Sequence, residues 1–272
     1  MMAPLADFAR RYGPWAVVTG ASEGIGRACA ERLAGCGINL VLVARRAILL
    51  DALCLQLGAH HGISCRPLAL DLARPDAASQ LAAATRELDV GLLVAAAGFG
   101  RAGPVLTADD DCERDMLRVN CEAVLGQCLQ FGRRFAQRRR GGLVLFSSVL
   151  AFSGAPGAAN YAATKAYVQT LAEGLQLELA PAGVDVVYAA PGPVHTGFAA
   201  RAGMTMRAAM TPEVIARDTL AALGRRGFVR PGGLSKLLGW SLATAPRALR
   251  MRIVQRVVRS MTAPAHTRGQ HA

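Results

Sequence analysis

The segment Trp15-Ala-Val-Val-Thr-Gly-Ala-Ser-Glu-Gly-Ile-Gly26 constrains the fold of this chain more than any other. An apolar, partly β-branched run breaks into glycines and opens at once into a helix-like stretch over residues 27–33, so it reads as strand, tight turn, helix. In such a unit Gly20 permits the turn, Gly24 lets the backbone approach a pyrophosphate, and Gly26 allows the helix to pack closely, while the helix N-terminus presents unpaired N–H groups to phosphate oxygens. Glycines at this spacing also occur in ordinary turns. The strand before them and the helix after them favour the dinucleotide reading.

The same rhythm continues along the chain. Strand-like runs near 15–19, 39–44, 65–70, 90–96, 143–147, 184–190 and 227–230 alternate with helical stretches. This is the pattern of a doubly wound parallel α/β sheet of about seven strands with helices on both faces. At 272 residues and 52% hydrophobic content the chain can bury a large core. It is expected to form a single domain over 1–272, with 234–272 as a basic helical extension. Pro/Gly stretches such as Pro231-Gly-Gly read as turns rather than linkers.

Chemistry concentrates in Asn160-Tyr-Ala-Ala-Thr-Lys165. A helix here puts Tyr161 and Lys165 on one face. A phenol titrates near ~10 and is a poor acid or base at neutral pH, but an adjacent cation stabilises the phenolate, so the spacing predicts a Tyr161 pKa pulled down by Lys165. Alone, Tyr-x-x-x-Lys is a common surface pair. Ser148 follows the apolar run 143–146, at the carboxyl end of a buried strand, where open α/β sheets bind ligands. Ser147 reads as a loop or cap serine. Asn120, in Met116-Leu-Arg-Val-Asn-Cys-Glu, falls inside a long helical stretch, where an asparagine is ordinarily a surface residue.

Thr19-Gly-Ala-Ser-Glu-Gly-Ile-Gly26, Asn120, Ser148, Tyr161-x-x-x-Lys165 and Pro191-Gly-Pro-Val-His-Thr196 stand in an order and spacing that resembles the short-chain dehydrogenase/reductase family over roughly residues 14–230. Gly13-Pro-Trp and Ala44-Arg-Arg further resemble bacterial reductases of the β-ketoacyl and hydroxysteroid type. The resemblance implies a Rossmann-like fold, a homodimer or homotetramer, and an NAD(P)-dependent oxidoreductase working reversibly between C=O and CH–OH. It makes Tyr161 the general acid that protonates the carbonyl oxygen, and the base in reverse. Lys165 lowers the phenol pKa and holds the nicotinamide ribose. Ser148 stabilises the substrate oxygen, and Asn120 positions, through its main chain, a water linking Lys165 to solvent. It also implies cofactor contacts from Gly20, Ser22, Gly24, Ile25 and Gly26, from Asp71 at the adenine, from Gly98, from Tyr161 alongside Lys165, from Pro191 and Gly192 beside the nicotinamide ring, and from Thr196 at its carboxamide. The chain departs from the family at Ala95-Ala-Ala-Gly98, where Asn-Asn-Ala-Gly is usual. That puts local rigidity in doubt more than chemistry.

Cofactor preference has a physical argument of its own. Folds that prefer NAD place an acid at the end of the second strand to accept the ribose hydroxyls. Here Asn39-Leu-Val-Leu-Val-Ala44 runs into Arg45 and Arg46. Guanidinium groups suit a 2′-phosphate, so NADP(H) is expected over NAD(H), with Arg45 the principal contact.

Seven cysteines without a Cys-x-x-Cys pair read as buried free thiols of a reducing compartment. The five histidines show no ligand spacing, His195 reads as a loop residue, and no metal site is expected. No apolar run approaches the ~18 residues of a spanning helix and the N-terminus lacks a signal-peptide core, which predicts a cytoplasmic protein. Most of the net charge of +12 sits in the tail, where no acid follows Asp218 and residues 219–272 hold ten arginines and lysines. Over 246–261, Met251, Val254, Val257, Val258 and Met261 share one helical face and Arg252, Arg256 and Arg259 the other, with Arg250 intruding on the apolar side. An ordinary packed terminal helix is the favoured reading; a lid or a peripheral contact with anionic lipid are the alternatives. Nucleic-acid binding is not expected with aromatics at 5%. Phe99, Leu150, Phe152, Phe198, Met204 and Met206 are expected to line the pocket, favouring a hydrophobic carbonyl or alcohol such as a ketoacyl, polyketide or steroid-like compound. The competing class is a catalytically idle NADP-binding regulatory or membrane-docking protein.

Overall fold

The computed structural model describes residues 5–195, 197, 209–232 and 246–262. Its strands are β1 (Trp15–Thr19), β2 (Asn39–Ala44), β3 (Cys65–Ala69), β4 (Val90–Ala95), β5 (Gly141–Phe146), β6 (Val184–Ala189) and β7 (Phe228–Val229). They form one sheet in the order β3-β2-β1-β4-β5-β6-β7, and every pairing is parallel. The expected strands are therefore present, each ending within about two residues of its sequence limits. β4 and β5 are buried on both faces, which explains their uninterrupted apolar runs. β3 carries Arg66 and Pro67 and is largely exposed; a proline is tolerated there because β3 is an edge strand.

Helices α1 (Leu5–Tyr12), α2 (Gly24–Ala34), α3 (Ala47–His61) and α8 (Pro212–Ala222) cover one face of the sheet, and α4 (Ala77–Ala84), α6 (Ala123–Arg138) and α7 (Ala159–Leu179) the other. α5 (Asp110–Leu117) precedes α6, and α9 (Arg247–Thr262) is the last described helix. The first core layer holds Phe8, Leu33, Ile38, Leu50 and Ile215, the second Leu81, Phe131, Phe135 and Val168. Arg138 ends α6, and both it and Arg140 pair with Asp89 just before β4.

Because β1 pairs with both β2 and β4, the chain reverses its direction of sheet growth there, and a crevice opens beyond the carboxyl ends of these strands. The β1–α2 turn fits that crevice only with glycine. Gly20 has φ +67°, and a Cβ on it would lie 2.8 Å from the Ala97 backbone; Gly26 packs against the Gly20 carbonyl where no Cβ has room.

The helical stretch around Asn120 is not one regular helix as its periodicity suggests. α5 and α6 are joined by a π-helical turn, Arg118–Glu122, a distortion common at functional sites.

A third apolar cluster lies over the carboxyl ends of the strands. It joins Met116, Leu150, Ala155, Ala158, Tyr161 and Ala162 to Val254 and Val258 of α9, with Phe99, Ala102 and Ile253 packed against it. Arg252 and Arg256 face outward. Met251, expected on the apolar face, is 42% exposed, since it lies two turns before Val258 and past the end of the cluster. The side chains of Val257, Arg259 and Met261 lie outside the described residues. Among the described residues no helix is long and apolar enough to cross a membrane.

Candidate active site

The first turns of α7 bring Tyr161 and Lys165, both buried, against the end of β5. The Lys165 ammonium donates to the Phe146 carbonyl at 3.0 Å and lies 5.8 Å from the centre of the Tyr161 ring. Ser148 caps a short 3₁₀ turn, Val149–Phe152, where its Oγ accepts from the Leu150 N–H at 3.2 Å. Its side chain also hydrogen-bonds the Tyr161 phenol. Ser147 Oγ donates to the Lys165 carbonyl at 2.9 Å, a structural role as its position suggests.

Asn120 is fully buried rather than at the surface. Its Oδ1 accepts from the Phe99 N–H at 3.1 Å, and its Nδ2 donates to the Phe99 carbonyl at 2.8 Å and to Thr164 Oγ1 at 3.0 Å. The side chain thus ties the loop after β4 to α7.

The expected depression of the Tyr161 pKa is not what the site produces. Burial pushes the phenol up to about 12, with the Ser148 hydrogen bond pulling the other way. Burial likewise holds the Lys165 ammonium down to about 8, opposed by the charge of Cys121. For both groups desolvation is the larger cause. The phenol therefore keeps its proton at neutral pH.

These groups open onto a cavity of about 800 Å³. Gly20, Ser22, Gly24, Ile25 and Gly26 line one wall; Arg45, Arg46 and Asp71 stand at the ends of β2 and β3; Gly98, Ser148, Tyr161, Lys165, Pro191 and Gly192 complete the opposite end. Asn120 sits behind this surface, with Val119 at the wall in its place. Thr196 lies outside the described residues. Asp71 Oδ1 accepts from the Ala73 N–H at 3.1 Å and does not cap the helix beyond Pro75.

The two arginines divide. Arg46 pairs with Glu23 at 3.1 Å and donates to Ser22 Oγ at 3.1 Å, whereas Arg45 is exposed and has no ion pair among the described residues. Where the family's asparagines are missing, Thr19 Oγ1 accepts from the Ala97 N–H at 3.4 Å. Leu150 and Phe99 line the cavity as expected. Phe152 does not: it faces Phe228 at 6.3 Å and the Arg230 guanidinium at 4.8 Å, contacts that draw the ring away. Phe198, Met204 and Met206 lie outside the described residues. Sequence reasoning missed Glu23, Asp109, Cys112 and Asp115, which also line the cavity. The i, i+3, i+7 spacing of Cys112, Asp115 and Val119 was the available signal.

The cavity fits a nicotinamide dinucleotide. The Glu23 side chain makes no cap bond to α2, so the helix N-terminus keeps donors for phosphate oxygens. Among the described residues no cluster of His, Cys, Asp or Glu is placed to hold a metal ion.

The family model described as short chain dehydrogenase matches residues 14–206. The chain belongs to the short chain dehydrogenase family. A 7beta-hydroxysteroid dehydrogenase of Clostridium sardiniense is 32% identical over 234 residues, 85% of this chain and 90% of that protein. A very-long-chain 3-oxoacyl-CoA reductase of Aspergillus clavatus is 32% identical over 229 residues, 82% of this chain but 66% of the other. The solved short-chain dehydrogenase from Sphingobium yanoikuyae in complex with NADPH is 30% identical, covers 87% of this chain and 98% of its own, and superposes with a TM-score of 0.78. This short chain dehydrogenase is therefore a nicotinamide-dependent oxidoreductase acting between CH–OH and C=O groups.

Proposed function

We propose that this short chain dehydrogenase uses NADPH to reduce the ketone of a bulky, apolar, steroid-like substrate, and oxidises the alcohol in reverse. The observation that carries this reading is the buried Tyr161 hydroxyl beside Ser148, in a cavity whose far end carries two arginines and no acid at the end of β2.

When bound, the nicotinamide supplies the hydride. Tyr161 Oη gives its proton to the carbonyl oxygen as that oxygen gains electron density. Ser148 Oγ donates to the same oxygen and stabilises its developing charge. Lys165 holds the ribose and orients the phenol, and Asn120 keeps its neighbouring main chain and the Gly98 loop in place for proton resupply. Pro191 and Gly192 wall the ring side, and Thr196 takes the carboxamide. Gly20, Ser22, Gly24, Ile25 and Gly26 receive the pyrophosphate, Asp71 the adenosine, and Arg45 the 2′-phosphate.

Phe99 and Leu150 on the cavity wall, backed by Val254 and Val258, support a rigid apolar substrate. So does the fuller coverage of the hydroxysteroid enzyme than of the acyl-CoA reductase. We further read the protein as cytoplasmic and as a homodimer or homotetramer, with Leu129, Tyr167 and Leu177 exposed on α6 and α7 as the motive. No observation favours the idle reading. A panel of 7-keto steroids, polyketide-like ketones and 3-oxoacyl-CoA thioesters, followed by NADPH and NADH depletion, tests the proposal. Fastest turnover of a keto steroid with NADPH is expected; preference for the thioester or for NADH contradicts it.

A further inference from the structure

We propose that Glu113 and Asn160 form a clamp that sets the position of Tyr161, making both positioning residues for the reaction proposed above, on which this inference rests. Asn160 immediately precedes Tyr161, and its Nδ2 donates to Glu113 Oε2 at 2.6 Å and to the Glu113 carbonyl at 3.1 Å. The Glu113 side chain is 17% exposed, and Arg101 approaches its other carboxylate oxygen at 3.6 Å. One carboxylate therefore joins three segments: α5, the loop after β4, and the first turn of α7.

That first turn needs an external hold. Ala158, at the N-cap of α7, has no side chain able to bond the helix donors, and an uncapped first turn frays. A carboxylate beside a helix N-terminus also complements its dipole. The Gly103 N–H donates to the Gly157 carbonyl at 2.8 Å, a backbone bond between the same loop and the approach to α7.

A second bond of the same kind lies one turn further on, where Asn120 Nδ2 donates to Thr164 Oγ1 at 3.0 Å. Thr164 precedes Lys165 as Asn160 precedes Tyr161. The α5 segment and its π turn thus bind α7 at two points, each next to one member of the reacting pair. Met116, fully buried between Glu113 and Asn120 in the chain, packs in the cluster that holds Tyr161. Polar groups flank the phenol's turn and apolar groups fill between them.

The reaction is sensitive to this placement, because a shift of about 1 Å in a reacting group costs on the order of 10²-fold in rate. The test compares Glu113→Ala, Asn160→Ala, their double variant, Asn160→Asp and Asn160→Asp/Glu113→Gln, with NADPH and a 7-keto steroid as probes. Each alanine variant is expected to lower kcat about tenfold while KM and NADPH affinity stay within about threefold, and the double variant is no slower than the slower single one. Asn160→Asp sets two carboxylates against each other and falls below Asn160→Ala; adding Glu113→Gln restores a donor and recovers rate. Amide hydrogen exchange of the NADPH-bound protein over residues 158–165, which needs no substrate, speeds up about tenfold in the same single variants. Wild-type kcat with unchanged exchange overturns the clamp, and so do losses that add in the double variant. A wild type inert toward every ketone overturns the proposed function instead, and exchange alone then decides the clamp.

Discussion

At the scale of the residue, the site is governed by burial. Lys165 is held down to about 8, and Tyr161 at about 12 keeps its proton across the neutral range. A lysine whose folded pKa is depressed costs stability, fully so below about 8, and that cost falls away as pH rises from about 8 to the ordinary lysine value of 10.5. In the proposed cofactor complex Lys165 would donate to ribose hydroxyls, which would favour its charged form and return the pKa toward its ordinary value. NADPH binding should therefore take up close to one proton per site at about pH 9 and almost none at about pH 6. Calorimetry in buffers of different ionisation heat reads this directly, with Lys165→Met abolishing the uptake; wild-type binding heats independent of buffer at the higher pH contradict it. The Tyr161 and Lys165 pair was legible from its spacing together with the glycine turn, Asn120 and Ser148 in order along the chain. The sign of the phenol shift was not, because desolvation depends on the cover that Leu150, Ala158 and α9 supply from distant parts of the chain. The full burial of Asn120 was not visible in its helical spacing for the same reason.

The elements show what periodicity conveys and what it omits. Alternating apolar runs located every strand of the sheet, since parallel strands buried on both faces leave that signature. One extra residue in the π turn 118–122 does not disturb the same pattern enough to be seen. For α9, the amphipathic face was half legible. Val254 and Val258 are 2% and 1% exposed and occupy the cluster around Tyr161, which leaves Arg252 and Arg256 facing outward and accords with the packed-helix reading. Val254→Ala or Val258→Ala should each cost about 2 kcal/mol of stability, from the methyl groups removed and the space left behind. Removing residues 246–272 should raise the ketone KM without loss of NADPH binding. Urea unfolding and steady-state kinetics check the two; tight binding of the full chain to anionic vesicles, lost on truncation, contradicts the packed role.

For the whole molecule, the strand order places β1 and β4 at the reversal of the sheet, and the cavity follows from it. One end meets the glycine turn and the β2 arginines, and the other meets Tyr161. Arg46 is engaged by Glu23 and Ser22, which makes Arg45 the guanidinium proposed to meet a 2′-phosphate. Such a charge-assisted contact is worth about 1.5–3 kcal/mol, so Arg45→Ala should weaken NADPH by roughly 10- to 150-fold and leave NADH almost unchanged. Fluorescence titration with both cofactors measures it, and equal losses for the two contradict a phosphate contact. The most direct measurement pairs the turnover of a 7-keto steroid with NADPH affinity in Tyr161→Phe. On the proposed role the phenol serves proton transfer far more than cofactor binding, so kcat should fall by about 10²- to 10⁴-fold while the NADPH dissociation constant stays within about threefold; a variant retaining more than about a tenth of wild-type turnover contradicts the account.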